Sequence, residues 1–299
     1  MPAASILIKP ASANCNMDCK YCFYKCLSSH RKEYSKGFMK EETLETLVRE
    51  AIAYADGSLT FAFQGGEPTL AGLDFFQKAV ELQQKYNNKK LQIENTIQTN
   101  GLLIDEKWAR FLGEHRFLVG LSLDGPKKMH DRYRKDAAGQ DTFARIMHSV
   151  QLLEQYHVDY NVVTVVTNDT AKQASFLYKF WKRNHYPFVQ FIPCMDEIKR
   201  QDGTQERSIY AVEPEQYGKF LCELFDLWYA DFVAGEAMDI RMFSNLAQMA
   251  AGYPAEECGM NGCCNCYFVV EGDGSVYPCD FYCMDAWKLG TVNDGFVQM

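Results

Sequence analysis

The sequence predicts an α/β protein whose parallel strands curl into a barrel, closed or three-quarters closed, followed by a cysteine-rich region. Three observations predict it. Apolar runs of strand length alternate with amphipathic segments of helix length through the first two-thirds of the chain. Residue types suited to chemistry fall at the C-terminal ends of those strands, where barrel active sites lie. The twelve cysteines split into four within 15–26 and six within 258–283, with only Cys194 and Cys222 between.

In chain order, the strands are expected at 5–9, 59–63, 92–98, 117–123, 160–166 and 188–192. Helical periodicity fills the intervals at 40–55, 73–86, 106–114, 142–157 and 171–184. Pro68-Thr69, Asp105 and Asp169-Thr170 read as start signals for the second, third and fifth of these helices. The pattern then changes. Residues 196–213 are polar and read as a loop, 215–233 as an amphipathic helix, and 241–251 as another. Two short apolar runs about Gly272-Asp273-Gly274 read as a β-hairpin. The expected division is a barrel domain at 1–235 and a cysteine-rich region at 236–299.

Composition narrows the class. Hydrophobic residues at 47% support a large core, and a formal charge of −8 argues against a nucleic-acid groove or an anionic membrane surface. The N-terminal residues lack the basic start and apolar core of a signal peptide, and no apolar run reaches bilayer length. A cytosolic protein is expected, with no nucleic-acid or membrane partner. Its cysteines then suggest metal centres rather than a disulfide framework, with Cys194 and Cys222 as buried thiols.

The chemistry starts at Cys15, Cys19 and Cys22, a C-x3-C-x2-C spacing on a short loop after the first strand. Three thiolates on such a loop can hold a cubane iron–sulfur cluster and leave one iron open to a small molecule. With Cys26 added, a zinc ion is the alternative, and a disulfide is a third. One βα unit later comes Gln64-Gly65-Gly66-Glu67-Pro68, which alone reads as a tight turn. Ser122 and Asp124 end the fourth strand on one side of it, and Arg134 follows in a basic stretch that alone reads as solvated loop. Thr99-Asn100-Gly101 closes the third strand and is either part of the same mouth or simply a turn.

The cysteine spacing, with Tyr21 before the last cysteine and Gly-Gly-Glu-Pro one unit on, resembles the signature of the radical S-adenosylmethionine (radical SAM) superfamily. That resemblance implies a partial (βα)6 TIM-like barrel and a 4Fe-4S cluster on Cys15, Cys19 and Cys22, with S-adenosylmethionine chelated at the open iron. It also implies that Gly66 and Glu67 help hold the methionine amino group and that Gln64 faces the cavity. Ser122 and Arg134 would bind the carboxylate end, a task suited to a guanidinium fork. Tyr21 and Met195 would flank the adenosine. Cys26 stands outside the pattern.

Further along, Cys264, Gly274 and Cys279 make a C-x9-G-x4-C spacing that resembles the SPASM domain, which houses auxiliary iron–sulfur clusters. Cys-Gly-Met-Asn-Gly at 258–262, Asp-Gly-Ser-Val-Tyr-Pro-Cys-Asp-Phe-Tyr at 273–282 and the run at 61–72 are similar to the anaerobic sulfatase-maturating enzymes. By that resemblance Cys258, Cys264 and Cys279 ligate the first auxiliary 4Fe-4S cluster and Asp280 is the catalytic base, its pKa raised by desolvation. The family's remaining cluster ligands lie beyond Met299, so an incomplete SPASM region or a fragment is expected. Cys263, Cys266 and Cys283 stay unassigned, each a spectator or a substitute ligand. The implied reaction oxidises a Cys or Ser side chain of a sulfatase polypeptide to Cα-formylglycine through a 5′-deoxyadenosyl radical. Electrons would come from a flavodoxin or ferredoxin. The alternatives are a SPASM-type enzyme cross-linking a ribosomal peptide and, more remotely, a zinc-stabilised binding module.

Overall fold

The computed structural model describes residues 3–197, 207–260, 262 and 267–299. Strand β1 (Ala4–Ile8) leads through the cysteine loop into a short helix, α1 (Phe23–Ser29). Five βα units follow: α2 (Glu41–Tyr54), β2 (Ser58–Phe63), α3 (Leu73–Tyr86), β3 (Gln92–Thr99), α4 (Glu106–Glu114), β4 (Leu118–Ser122), α5 (Lys127–Tyr133), α6 (Phe143–Gln155), β5 (Tyr160–Val166), α7 (Ala174–Arg183) and β6 (Phe188–Pro193). The chain ends with α8 (Pro214–Ala234), β7 (Asp239–Ile240), α9 (Arg241–Ala250), β8 (Phe268–Val270), β9 (Ser275–Tyr277) and β10 (Gly290–Thr291).

These strands join one mixed sheet in the order β10-β9-β8-β1-β2-β3-β4-β5-β6-β7. The run β1 to β6 is parallel and sequential, with Ile6 opposite Phe61 and Val163 opposite Gln190. Short connections through covering helices produce that order, as in a barrel left open on one side. At the open edges β8 lies parallel to β1 and β7 parallel to β6, while the β8–β9 hairpin is antiparallel. Strands from the C-terminal region therefore extend both rims of the barrel sheet.

Alternation along each strand separates core from cavity. Ile6, Ile8, Leu59, Phe61 and Phe63 are buried against the helices, whereas Ser5, Leu7 and Ala62 line the opposite face. Helix α2 supplies the facing stripe Leu44, Leu47, Val48, Ala51 and Ile52, at the spacing of one helical face. At about 25 cal/mol per Å² of apolar area, such burial is the main source of stability. No helix among the described residues is long and apolar enough to cross a membrane.

Most expected elements appear within a few residues of their expected bounds, and the differences are local. Asp105 caps α4 by accepting the Trp108 N–H, as its position suggested. Asp169 makes no such cap; a single 3-10 turn (Thr170–Lys172) follows it and α7 begins only at Ala174. Pro68 likewise opens a 3-10 turn, and α3 starts at Leu73. Residues 198–206 of the expected loop at 196–213 lie outside the described residues. Cys194 is buried, but Cys222 is exposed on the outer face of α8, which corrects the expectation for that thiol. A thiol there packs against nothing that would bury it.

Candidate active site

All six parallel strands send side chains into one cavity of about 730 Å³: Leu7, Ala62, Gln98, Ser122, Val163 and Gln190 among them. Its mouth is at the strand C-terminal ends. Cys15, Cys19, Cys22, Tyr21, Gln64, Gly66, Glu67, Ser122, Arg134, Met195 and Asp280 all line it. Residues chosen from five separate stretches of sequence thus share one enclosed space.

The cysteine loop is fastened to the Gly-Gly-Glu-Pro turn by backbone. The Glu67 N–H donates to the Asn14 carbonyl at 2.8 Å. Gly66 sits at φ +52°, and a Cβ there would come within 2.3 Å of the Asn14 oxygen and 2.7 Å of the Ser12 oxygen. Only glycine tolerates both the left-handed backbone and that approach. Gly66→Ala is therefore expected to cost at least about 1–2 kcal/mol and to push the cysteine loop away. Thermal unfolding and the iron retained after reconstitution would both fall; an unchanged pair of values would contradict the packing described.

Cys15, Cys19 and Cys22 are half-buried. Burial pushes the Cys15 thiol up to about 11 and the Cys19 thiol up to about 12, so both hold their protons at neutral pH until a cation displaces them. Among the described residues no group of three or more His, Cys, Asp or Glu side chains is already arranged to hold a metal ion. Three thiols on one loop lining one cavity suit a cubane, which carries each thiolate on a separate iron.

Arg134 is buried, not solvated. Its Nε and Nη2 donate to the two carboxylate oxygens of Asp124 at 2.9 and 3.1 Å, leaving Nη1 outside that pair. Asp124 also accepts the Tyr21 hydroxyl and the Val165 N–H. The guanidinium lies 5.4 Å from the Tyr21 ring centre. Ser122 Oγ accepts from Gln98 Nε2 at 3.3 Å, and Met195 is half-exposed at the mouth. Glu67 is held more tightly than expected: its carboxylate accepts from Thr69 N, Thr69 Oγ1, Thr99 Oγ1 and Asn100 N.

Beneath this group His130 accepts the Asp124 N–H at Nδ1 and meets Thr142 Oγ1 through Nε2. Burial lowers its pKa to about 4, against the opposing pull of Asp124. The unfolded chain, at about 6.5, takes the proton first as pH falls. Stability from this group is complete above about pH 6.5 and is lost progressively down to about pH 4, about 3 kcal/mol in all. Denaturant midpoints measured across that window should fall more steeply for the wild type than for His130→Gln; parallel curves would contradict the assignment.

Asp280 lines the same cavity in a network that sequence reasoning missed. Its Oδ1 is 2.7 Å from Lys9 Nζ, and its Oδ2 accepts the Tyr24 hydroxyl at 2.7 Å. Tyr24 in turn accepts from Gln64 Nε2. Lys9 is fully buried, and Glu271, 3.7 Å away, is paired with Arg31 at 2.7 Å. Burial works against the Lys9 charge, but Asp280, Cys283 and Glu271 outweigh it and hold its pKa above the ordinary value. Asp280, expected to be desolvated, is buried and also ion-paired. A lysine closing an apolar strand was the available signal.

Three of the six C-terminal cysteines lie among the described residues. Cys279 is half-buried with Tyr267 Oη 3.6 Å from its sulfur, and Cys258 is exposed. Cys263, Cys264 and Cys266 lie outside the described residues. Cys283 is fully buried among Leu27, Val269 and Tyr277, and burial pushes its thiol up to about 12.

A radical-generating barrel enzyme is the class this fold and cavity define. Residues 10–179 match the model of the Radical SAM superfamily. Over 294 residues the chain is 50% identical to the cysteine-type anaerobic sulfatase-maturating enzyme of Clostridium perfringens, covering 98% of this chain and 79% of that one. It is 34% identical to the serine-type anaerobic sulfatase-maturating enzyme of Bacteroides thetaiotaomicron, covering 96% and 72%. The solved structure of native anSMEcpe with bound AdoMet and the Cp18Cys peptide superposes with a TM-score of 0.91 at 48% identity, covering 98% of this chain and 78% of that chain. SuiB of Streptococcus suis, at 16% identity and a TM-score of 0.64 over 94% of this chain and 60% of that one, shares the fold alone. The chain belongs to the radical SAM superfamily and, within it, to the anaerobic sulfatase-maturating enzymes.

Proposed function

We propose that the chain oxidises a Cys or Ser side chain of a sulfatase polypeptide by two electrons, giving Cα-formylglycine directly from Ser and, from Cys, a thioaldehyde that water hydrolyses to Cα-formylglycine with release of hydrogen sulfide. What carries this reading is one cavity lined by Cys15, Cys19 and Cys22, by Arg134 and the Gly-Gly-Glu-Pro rim, and by Asp280. Cys15, Cys19 and Cys22 would hold a 4Fe-4S cluster. With S-adenosylmethionine bound there, the cluster would supply the one-electron chemistry that yields a 5′-deoxyadenosyl radical for hydrogen abstraction at the substrate β-carbon. The 50% identity to a cysteine-type enzyme favours Cys over Ser as the residue oxidised.

The protein's residues then have separable tasks. Arg134, fixed on one edge by Asp124, keeps Nη1 for the methionine carboxylate beside Ser122. Gly66 offers backbone at the rim for the amino group, while Glu67 holds that rim to β3. Tyr21 and Met195 flank the adenosine. Asp280 takes the thiol or hydroxyl proton, with Tyr24 and Lys9 holding its two oxygens in place. Walls from six strands exclude water that would quench reactive species. Cys258, Cys264 and Cys279 would hold an auxiliary cluster that takes the second electron, in a region at 236–299 that follows the barrel domain at 1–235. A flavodoxin or ferredoxin would supply the first.

The test is isotopic. Deuterium placed on the β-carbon of the cysteine in a sulfatase-motif peptide should appear in the released 5′-deoxyadenosine. Deoxyadenosine free of deuterium would sink the proposal.

A further inference from the structure

Two N–H groups converge on the sulfur of Cys15. The Met17 amide donates at 3.4 Å, and the Asn100 side-chain amide, from the end of β3, donates at 3.7 Å. The orientation of that side chain is set by its other contacts. Oδ1 accepts the Leu102 N–H at 3.0 Å, so the end facing the cysteine loop is Nδ2, which also reaches Asn16 Oδ1 at 2.8 Å. The Asn100 backbone N–H donates to Glu67 Oε2 at 2.8 Å. Glu67 is itself immobilised by Thr69 and Thr99, and both Glu67 and Asn100 are buried. One side-chain donor is thus aimed at this sulfur from the end of β3, with every polar atom of its side chain engaged.

We propose that Asn100, held by Glu67, is a positioning residue that hydrogen-bonds the Cys15 thiolate and raises the reduction potential of the centre on that loop. This holds on the reading above that Cys15, Cys19 and Cys22 carry a cluster. Reduction adds negative charge to the cluster and its sulfurs, and a donor facing a sulfur stabilises the more negative state. Glu67 thereby acts on the cluster through Asn100, in addition to any contact with S-adenosylmethionine.

The experiment is a redox titration of the reconstituted 299-residue chain, followed by electron paramagnetic resonance without S-adenosylmethionine. The signal that changes shape when S-adenosylmethionine is then added identifies the cluster. Asn100→Leu removes the donor at similar size without adding charge. At a fixed poise its ratio of reduced to oxidised cluster should fall about tenfold, equivalent to about 59 mV for a one-electron couple. Asn100→Asp keeps the Leu102 anchor, loses the donor and should shift further the same way; it decides the matter where Asn100→Leu does not fold. Glu67→Gln should shift less, in the same direction. A potential unchanged in the folded Asn100 variant, whatever its thermal midpoint, overturns the inference and leaves the cluster reading standing. A wild-type chain with no signal that responds to S-adenosylmethionine overturns both.

Discussion

Asp280→Asn is expected to leave 5′-deoxyadenosine release running while aldehyde formation falls about 10²–10⁴-fold, the usual contribution of a positioned general base. The two events separate because they use different groups. Arg134 and Ser122 serve the methionine carboxylate, whereas Asp280, held by Lys9 and Tyr24, serves the substrate proton. Asparagine keeps the size and can still meet Tyr24, but it cannot hold the proton. Mass spectrometry of the peptide and chromatography of the nucleoside, on one sample, give the ratio. Aldehyde formation within about tenfold of wild type would remove Asp280 from the role of base.

The second large effect is on stability. Lys9→Met should destabilise the fold by about 3–5 kcal/mol, the range for breaking a buried ion pair by removing one partner. Lys9 and Arg31 face Asp280 and Glu271 in a group whose charges cancel, nearly all of it sealed from water. Without the ammonium, two carboxylates share one guanidinium. The Lys9 stem also packs against Gly65, where a Cβ would come within 2.6 Å of it, so methionine retains the apolar contact and isolates the charge. Denaturant unfolding of the wild type and variant gives the difference directly. An unchanged midpoint would mean that water reaches this group in solution.

The parts of the fold that sequence revealed are those written in local pattern. Alternation in Leu-Thr-Phe-Ala-Phe marked β2, and the apolar stripe of α2 marked that helix. Two helices escaped. Helix α1 begins at Cys22 without a side-chain cap, and Phe-Tyr-Lys-Cys-Leu-Ser-Ser carries no helical stripe; it is held by Leu27 packing on Val269 and Tyr277. Helix α5, Lys-Lys-Met-His-Asp-Arg-Tyr, carries no clear stripe of its own; its buried His130 and Asp131 meet Thr142 and Phe143 at the start of α6.

The candidate site was legible where residues of special type cluster, and opaque where single residues meet across the fold. Three cysteines at fixed spacing announce themselves. Nothing near Lys9 says that Asp280, in the C-terminal region, will be its counter-ion, because that pairing depends on β8 lying beside β1. Asp124 was placed on the correct side of β4, but its hold on both Tyr21 and Arg134 needed the closing of α5 over the strand end. Asn100 read equally well as a turn residue until its amide was seen to face Cys15.

The most direct test of the central claim is anaerobic reconstitution with iron and sulfide, then incubation with S-adenosylmethionine, a reductant and a cysteine-containing sulfatase-motif peptide. The expected result is a peptide mass change matching conversion of the cysteine side chain to an aldehyde, with 5′-deoxyadenosine released alongside. Deoxyadenosine with an unmodified peptide would contradict the assigned substrate, and neither product in an iron-loaded protein would contradict the radical chemistry itself.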